Sequence, residues 1–173
     1  MTEIFRENKG TVSFSGCLVM MDALYPMMQV SRQRNPKTDG IISIFEAIPF
    51  QDEIFDAAMA GFAIRDARDL ALALKEISRI LVHEGLLLII DLAKPDSGIK
   101  SWLVGIYWRA LAPIIALLVA GKAGLKFGAL YKTYVRLPKN SEFLKLIEKC
   151  GYEVAEIKRV MMDGAAVILL RRK

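Results

Sequence analysis

Short apolar runs alternate along the chain with segments whose apolar residues recur at helical spacing. The runs at 17–21, 41–45, 55–62 and 86–90 consist mainly of aliphatic or small residues. Such runs are typical of strands buried in a parallel sheet. The first and last of them stop at a carboxylate, Asp22 and Asp91. The alternation predicts an α/β fold.

The segments between these runs are predicted to be helical. Tyr25–Arg34 can form a short helix, because Pro26 is tolerated in its first turn. Either Asp66 or Asp69 can cap a longer helix that runs to Leu81. The apolar face of that helix has residues at helical spacing: Leu70, Leu74, Ile77 and Leu81.

The C-terminal part predicts a helix followed by a hairpin. Asn140 or Ser141 caps the helix, and Gly151 ends it. Two strands, 154–160 and 165–170, are joined around Asp163-Gly164, which is a strong hairpin signal. We therefore expect residues 1–173 to form one domain, a three-layer sandwich with a mostly parallel sheet and a C-terminal antiparallel hairpin.

The segment Trp102–Ala120 is long and apolar, with one charge, Arg109. Its length nearly reaches the ~20 residues that cross a bilayer. A spanning helix would bury Arg109 at a cost of roughly 2.5–3.5 kcal/mol, and it would separate the last helix and hairpin from their own sheet. A core helix, an apolar lid over the substrate and a surface resting on a membrane are the alternatives. An interfacial position suits the aromatic residues Trp102, Tyr107 and Trp108 with the nearby basic residues Lys100 and Arg109.

The charge is unevenly distributed, although the net value is only +5. Residues 1–98 hold 10 Lys and Arg against 14 Asp and Glu, whereas residues 99–173 hold 14 against 5. A basic half can meet anionic lipid, nucleic acid or a phosphorylated ligand, or it can simply be a solvated charged surface. The chain lacks the interleaved aromatic and basic residues of nucleic-acid sites, so no nucleic-acid partner is expected.

The cysteines and the histidine limit the kinds of site. The spacing of Cys17, His83 and Cys150 does not match that of metal ligands, so no zinc or other metal site is expected. No basic segment followed by an apolar one is present at the start, which together with the few cysteines favours a reducing, cytoplasmic location. We expect residues 99–136 to form an apolar, basic lid or an insertion that faces the inner surface of the membrane.

Several strings, in order, resemble a known family. Residues 47–56, AIPFQDEIFD, resemble A-x-x-L-P-F-x-D-x-x-F-D, and residues 61–66, GFAIRD, resemble G-F-G-L-R-N. Residues 76–85 resemble E-x-x-R-V-L-K-P-G-G, and residues 91–95, DLAKP, resemble E-F-S-K-P. Together with the tyrosine-rich segment 130–138 and the helix end at Gly151-Tyr152, they resemble the Rossmann-like, S-adenosylmethionine-dependent C-methyltransferases of ubiquinone and menaquinone biosynthesis.

The resemblance implies roles for particular residues. Asp22 would bind the ribose hydroxyls of S-adenosylmethionine, although an Asp there can also cap the next helix. Gly61 and Phe62 would approach the methionine part of the cofactor. Arg65 and Asp66 would order a water or the acceptor oxygen as its proton leaves, or else cap and solvate a surface helix. The acceptor pocket would be lined by three residues that can equally belong to the core or its rim, namely Tyr131, Tyr134 and Arg136.

The chain departs from the family pattern in two places. The family has a strand, a glycine-rich D-x-G-x-G-x-G turn and a helix before the position of Asp22, where this chain has 21 residues with only Gly10 and Gly16. Thr11–Phe14 would keep the first strand or form a hairpin with residues 17–21. At the position of the adenine-binding Asp the chain has Ile44, and Glu46 is the nearest substitute.

Three explanations of the missing turn remain open from the sequence. In the first, the chain derives from a shortened reading frame. In the second, a homodimer partner supplies the missing side of the cofactor site. In the third, the protein is a degenerate relative that binds a ligand without catalysis. The leading hypothesis is a methyltransferase acting on a small hydrophobic aromatic acceptor, with peripheral membrane contact. Its rival is a non-catalytic scaffold of the same fold.

Overall fold

The computed structural model describes residues 16–121 and 129–173. They divide into two compact units, 1–43 and 44–173. The predicted strand or hairpin at Thr11–Phe14 lies outside the described residues.

The first unit contains a β-α-β segment. Strand β1 (Val19–Asp22) pairs in parallel with β2 (Asp39–Ile42), and helix α1 (Tyr25–Arg34) connects them, as predicted from its spacing. Gly40 allows the helix to lie close to the strand, because a Cβ at this position would be 2.4 Å from the sulfur of the buried Met28. The strand was predicted at 41–45, but β2 spans Asp39–Ile42, so the predicted bounds are wrong. Its pairing with β1 ends at Ile42, after which Ser43 N–H donates to the carbonyl of Asp22 at 3.1 Å.

The second unit is built on a four-stranded sheet. Strand β3 (Phe55–Gly61) pairs in parallel with β4 (Leu81–Leu92), and the other two pairings are antiparallel, in the order β3-β4-β6-β5. The remaining elements of this unit are a 3₁₀ turn (Ile64–Asp66), α2 (Leu70–Ile80), α3 (Gly98–Ile106), a π-helical turn (Tyr107–Leu111), α4 (Ala112–Ala120), α5 (Ala129–Arg136), α6 (Asn140–Lys149), β5 (Tyr152–Val160) and β6 (Ala165–Arg172). Together with the parallel pair of the first unit, this sheet confirms the predicted α/β class, with parallel strands and a C-terminal antiparallel hairpin.

The junction between α2 and β4 differs from the prediction. Asp69 caps α2 by accepting from Leu72 N–H at 3.0 Å, and the strand begins directly after the helix, five residues before the predicted 86–90 run. Gly85 therefore lies inside β4, at an irregularity of the β3–β4 register. A Cβ on Gly85 would be 2.7 Å from the carbonyl oxygen of Val82, so this irregularity requires glycine.

Helix α6 begins where predicted, but neither predicted residue caps it. The Glu142 carboxylate accepts from Lys139 N–H at 2.9 Å, and Asp96 accepts from Ser141 N–H at 2.9 Å. Asn140 is buried, and its amide donates to the carbonyl of Asp163 at 3.1 Å. Gly151 ends the helix with a φ of +88°, as predicted.

The core of the second unit lies on one face of the sheet. Leu87 and Leu170 are opposite each other and fully buried, as are Ile89 and Ile168 on the same face. Tyr152 packs there and donates to the carbonyl of Leu74 in α2 at 3.2 Å. The opposite face is only partly covered, and Met59 is exposed on it.

A long apolar helix follows β4. Helices α3 and α4 are continuous through the π-helical turn, which comes just before Pro113, whose missing N–H breaks the regular ladder. Within the described residues, Gly98–Val119 is long and apolar enough to cross a membrane. Trp102 is 65% exposed, whereas Trp108 is 9% exposed. The expectation that both tryptophans suit an interface is therefore wrong for Trp108.

Candidate functional site

The end of β3 forms the first part of the candidate site. Phe62 follows Gly61 with a φ of +53°, and its N–H donates to the carbonyl of Ile90 in β4 at 2.7 Å. Such a backbone in a residue with a side chain costs on the order of 1–3 kcal/mol and is concentrated at functional positions. The turn leaves the Phe62 ring exposed, and no atom lies within 4 Å of a Cβ built on Gly61. The space beside Gly61 is thus open to a ligand.

Arg65 pairs with a carboxylate at the end of the neighbouring strand. Its Nη1 is 2.7 Å from Oδ1 of Asp91, and its backbone N–H donates to Oδ2 of Asp91 at 3.2 Å. Asp91 also accepts from Leu92 N–H at 2.7 Å. The side chains are only 11% and 4% exposed. The guanidinium carbon lies 5.7 Å from the centre of the Phe62 ring, so Phe62, Arg65 and Asp91 form one cluster across the carboxyl ends of β3 and β4.

Arg65 and Asp66, which the resemblance implies order a water or the acceptor oxygen, have different surroundings in the structure. Asp66 is exposed, and no ion pair joins it to Arg65. Asp91 was missed as a site residue by sequence reasoning. The available signal was a carboxylate directly after a five-residue aliphatic run, which places it at the carboxyl end of a buried strand. Arg65 Nε is buried and has no hydrogen-bond partner among the described residues.

Glu46 has a structural role in the structure. Its Oε1 accepts from Arg68 N–H at 2.6 Å and from Asp69 N–H at 3.0 Å. Partial burial disfavours the charged form, but hydrogen bonds from these two N–H groups and from its own N–H, together with the Arg68 charge, outweigh it and lower the pKa of Glu46. Glu46 thus fixes the loop before α2 through Oε1, and only Oε2 remains for the predicted contact with adenine. Ile44, at the position of the family's adenine-binding Asp, has no polar side chain.

Asp22 belongs to the first unit and ends β1. Its Oδ1 accepts from Leu24 N–H at 2.8 Å, which closes a local turn before α1. The side chain makes no capping bond to α1, whose cap position is Leu24. The alternative of a helix cap is therefore wrong, and Oδ2 keeps the hydrogen-bonding capacity that a ribose hydroxyl requires.

A groove of about 390 Å³ lies between α3 and α5. Three residues were predicted to line the acceptor pocket. Two of them, Tyr131 and Tyr134, line this groove, whereas Arg136 is exposed and does not line it. Tyr134 is buried, and its hydroxyl donates to the carbonyl of Ser101 at 2.9 Å. The Arg109 guanidinium lies 5.9 Å from the centre of the Tyr131 ring. The groove is therefore aromatic on one side and cationic at its rim.

The residues fit S-adenosylmethionine in part. Asp22 keeps an acceptor for a ribose, and Gly61 leaves open space beside the end of β3. At the adenine position, Ile44 and the engaged Glu46 offer little. The glycine-rich turn is absent from the first 21 residues of the sequence.

Comparison with known proteins agrees with the fold. A putative methyltransferase from Bacillus halodurans superposes with a TM-score of 0.67 at 16% identity, covering 91% of this chain and 83% of that one. A SAM-dependent methyltransferase from Thermotoga maritima, a possible histamine N-methyltransferase, superposes with a TM-score of 0.57 at 20% identity, covering 90% and 72%. These likenesses support the Rossmann-like methyltransferase fold.

Sequence relatives and a family match narrow the assignment. The demethylmenaquinone methyltransferase of Chlorobaculum tepidum is 28% identical over 130 residues, which are 75% of this chain and 53% of the relative. That of Chlamydia pneumoniae is 26% identical over 159 residues, 90% of this chain and 69% of the relative. The chain thus spans about half the length of the first of these. The sequence model of the ubiE/COQ5 methyltransferase family matches residues 7–170. S-adenosylmethionine is the cofactor that this assignment indicates, and the chain belongs to the ubiE/COQ5 methyltransferase family.

Proposed function

We propose that the chain is an S-adenosylmethionine-dependent methyltransferase of quinone biosynthesis, acting on a hydrophobic aromatic acceptor. The cluster of Phe62, Arg65 and Asp91 carries the proposal. It lies at the carboxyl ends of two parallel strands, where open α/β sheets bind their ligands. Family membership and the names of the relatives support the reaction class.

The cofactor supplies a methyl group on a sulfonium that leaves readily. The protein has to bind and align the acceptor and exclude water. Methylation at carbon also requires an acceptor oxygen to lose its proton, so that electron density reaches the ring. Arg65 is suited to stabilise that oxygen, because its charge is permanent and Asp91 fixes its orientation. Asp66 is exposed and accepts the proton, directly or through a water.

The groove beside α5 suits the acceptor. Helix α5 contacts the 3₁₀ turn that carries Arg65, and the groove reaches Lys94, three residues after Asp91. The rings of Tyr131 and Trp102 line it and suit a flat aromatic ring with an apolar tail. Phe62, Arg65 and Asp91 do not line the groove themselves, so the proposal requires the acceptor to extend from it towards their cluster.

Calorimetric titration with S-adenosylhomocysteine tests the proposal. We expect measurable heat at millimolar ligand for the wild-type chain. Asp22→Ala should weaken binding by at least ten-fold, since a charge-assisted hydrogen bond contributes about 1.5–3 kcal/mol. Asp39→Ala is the control, because it removes an exposed carboxylate from the neighbouring strand of the same unit. No heat from the wild type would overturn the proposal of an active enzyme for this chain.

A non-catalytic protein of the same fold is the second candidate. It is favoured by the engagement of Glu46 with the loop before α2 and by Ile44 at the position of the adenine-binding Asp. It predicts that Asp22→Ala leaves the cellular function untouched in a complementation assay. Loss of function in that variant would count against it.

A further inference from the structure

The long helix has one buried stripe and a wide exposed apolar surface. Val104, Trp108, Ala112 and Ala116 recur every four residues and are buried, the first three in one cluster with Leu92 and Tyr134. Ten large apolar side chains of the same helix are exposed: Ile99, Trp102, Leu103, Ile106, Leu111, Ile114, Ile115, Leu117, Leu118 and Val119. Soluble monomers seldom expose apolar patches above a few hundred Å², so a helix with this many exposed apolar side chains is a candidate docking surface.

The tip of the β5–β6 hairpin extends that surface. Lys100 Nζ of α3 is 2.7 Å from Oδ2 of Asp163. A Cβ on Gly164 would be 2.8 Å from Cγ1 of Val104, so the tip lies directly against α3. Met161 and Met162 are exposed beside this contact. The exposed side of the helix and this tip, which we call the apolar platform, thus come from two separate parts of the chain.

Basic side chains predominate next to the apolar platform, and the carboxylate of its hairpin tip, Asp163, is paired with Lys100. The described residues among 97–141 include five Lys and Arg and no Asp or Glu. Lys94, Arg109 and Lys139 line the groove between α3 and α5, and the one carboxylate there, Asp96, accepts from Ser141 N–H. Trp102 lines the same groove, so an exposed aromatic ring meets the basic rim. Exposed apolar side chains beside Trp and basic residues are the composition of surfaces that lie in a membrane interface.

We propose that the apolar platform docks on the surface of an anionic phospholipid bilayer, with the basic rim against the lipid phosphates. A second copy of this chain is a poorer occupant, because a two-fold contact would bring the two basic segments together without an acidic counterpart. A spanning helix is also disfavoured, because it would have to remove Val104, Trp108 and Ala112 from their cluster with Leu92 and Tyr134. This inference stands independently of the proposed reaction.

Flotation of the purified full chain with lipid vesicles is the test. The wild type should float with vesicles that contain phosphatidylglycerol, much less with phosphatidylcholine alone, and less at high salt, because salt screens exposed charges. Arg109→Gln should lower the partition coefficient by about five-fold, which corresponds to about 1 kcal/mol for one basic residue at an anionic surface. Ile115→Ser should lower it by a similar factor or more, since it removes apolar area from the platform.

Ile54→Ser is the matched control. Ile54 is 47% exposed and Ile115 is 49% exposed, but Ile54 precedes β3 and lies outside the helix and the hairpin tip. Circular dichroism confirms that each variant is folded. A wild type that stays unbound with both vesicle types, equal binding to both, or an equal loss for Ile54→Ser and Ile115→Ser would each overturn the proposal. So would a stable dimer in light scattering that Ile115→Ser dissociates.

Discussion

Replacement of Asp91 by alanine tests the buried ion pair on which the candidate site is built. The change leaves the Arg65 guanidinium in place, with 11% of its side chain exposed and its carboxylate partner gone. The backbone N–H groups of Arg65 and Leu92 lose their acceptor at the same time. The second unit therefore keeps a desolvated charge with nothing to balance it.

The expected cost follows from this burial. Removing one partner of a buried ion pair destabilises a protein by roughly 3–5 kcal/mol. Asp52→Ala is the matched control, because Asp52 lies at the same 2.7 Å from an arginine, Arg79, but is 70% exposed. Arg79 also keeps Glu76 as a partner, so the loss there should be about 0–1 kcal/mol. The two variants should differ by about 3 kcal/mol.

Urea unfolding measures this difference. Circular dichroism and the fluorescence of the buried Trp108 should give the same midpoint if the second unit unfolds cooperatively. In thermal melts, Asp91→Ala should fall below Asp52→Ala by roughly 6–12 °C, at about 2–4 °C for each kcal/mol. Equal losses for the two variants would refute the view that burial makes the Arg65–Asp91 pair important.

A double variant separates stability from function. Arg65→Met with Asp91→Leu replaces the pair by apolar residues of similar volume, which is often neutral or stabilising. We expect its free energy of unfolding to return close to the wild-type value. Acceptor methylation should still be lost if Arg65 holds the acceptor oxygen. Wild-type activity in this variant would remove Arg65 from the proposed mechanism.

Three further outcomes are expected. Trp108→Ser should lower the free energy of unfolding by roughly 3–5 kcal/mol and Trp102→Ser by less than about 0.5 kcal/mol, since only the first is buried; equal melting temperatures would contradict this. The pKa of Glu46 is lowered on folding, so its stabilising effect is full above the pKa of the unfolded chain and is lost as the pH falls through the folded pKa. Urea midpoints of Glu46→Gln should therefore lie below those of the wild type at neutral pH and converge with them in acid, and a constant gap would contradict the assignment. Burial raises the pKa of the Cys150 thiol, so a disulfide reagent should titrate the exposed Cys17 quickly and Cys150 only after unfolding.

Local sequence patterns were sufficient to predict those features that depend on residues close together in the sequence. The spacing at Tyr25–Arg34, the Asp163-Gly164 turn and the stop at Gly151 each concern a few consecutive residues, and the structure agrees with them. Strand bounds were less well predicted. Strand β4 begins at Leu81 because it pairs there with Phe55 across the sheet, and no local signal reports that pairing.

The long helix shows where a local pattern is insufficient. It is apolar on all sides, so the sequence cannot indicate which side faces the core. Packing against Leu92 and Tyr134 decides which side of the helix faces the core. As a result, Trp108 is buried and Trp102 is exposed. Two residues of one type thus have opposite roles, and only their neighbours in space distinguish them.

The sequence by itself determined the family, the order of strands and helices, and the residues Gly61, Phe62 and Arg65 after the third strand. The tertiary structure decided which carboxylate serves Arg65. Asp66 is adjacent in sequence, but Asp91 is the partner because β3 and β4 run in parallel and bring their carboxyl ends together. The Arg65–Asp91 pair is buried, so the loss of either partner is costly. Asp66 is exposed to solvent and remains available for the proton transfer proposed above.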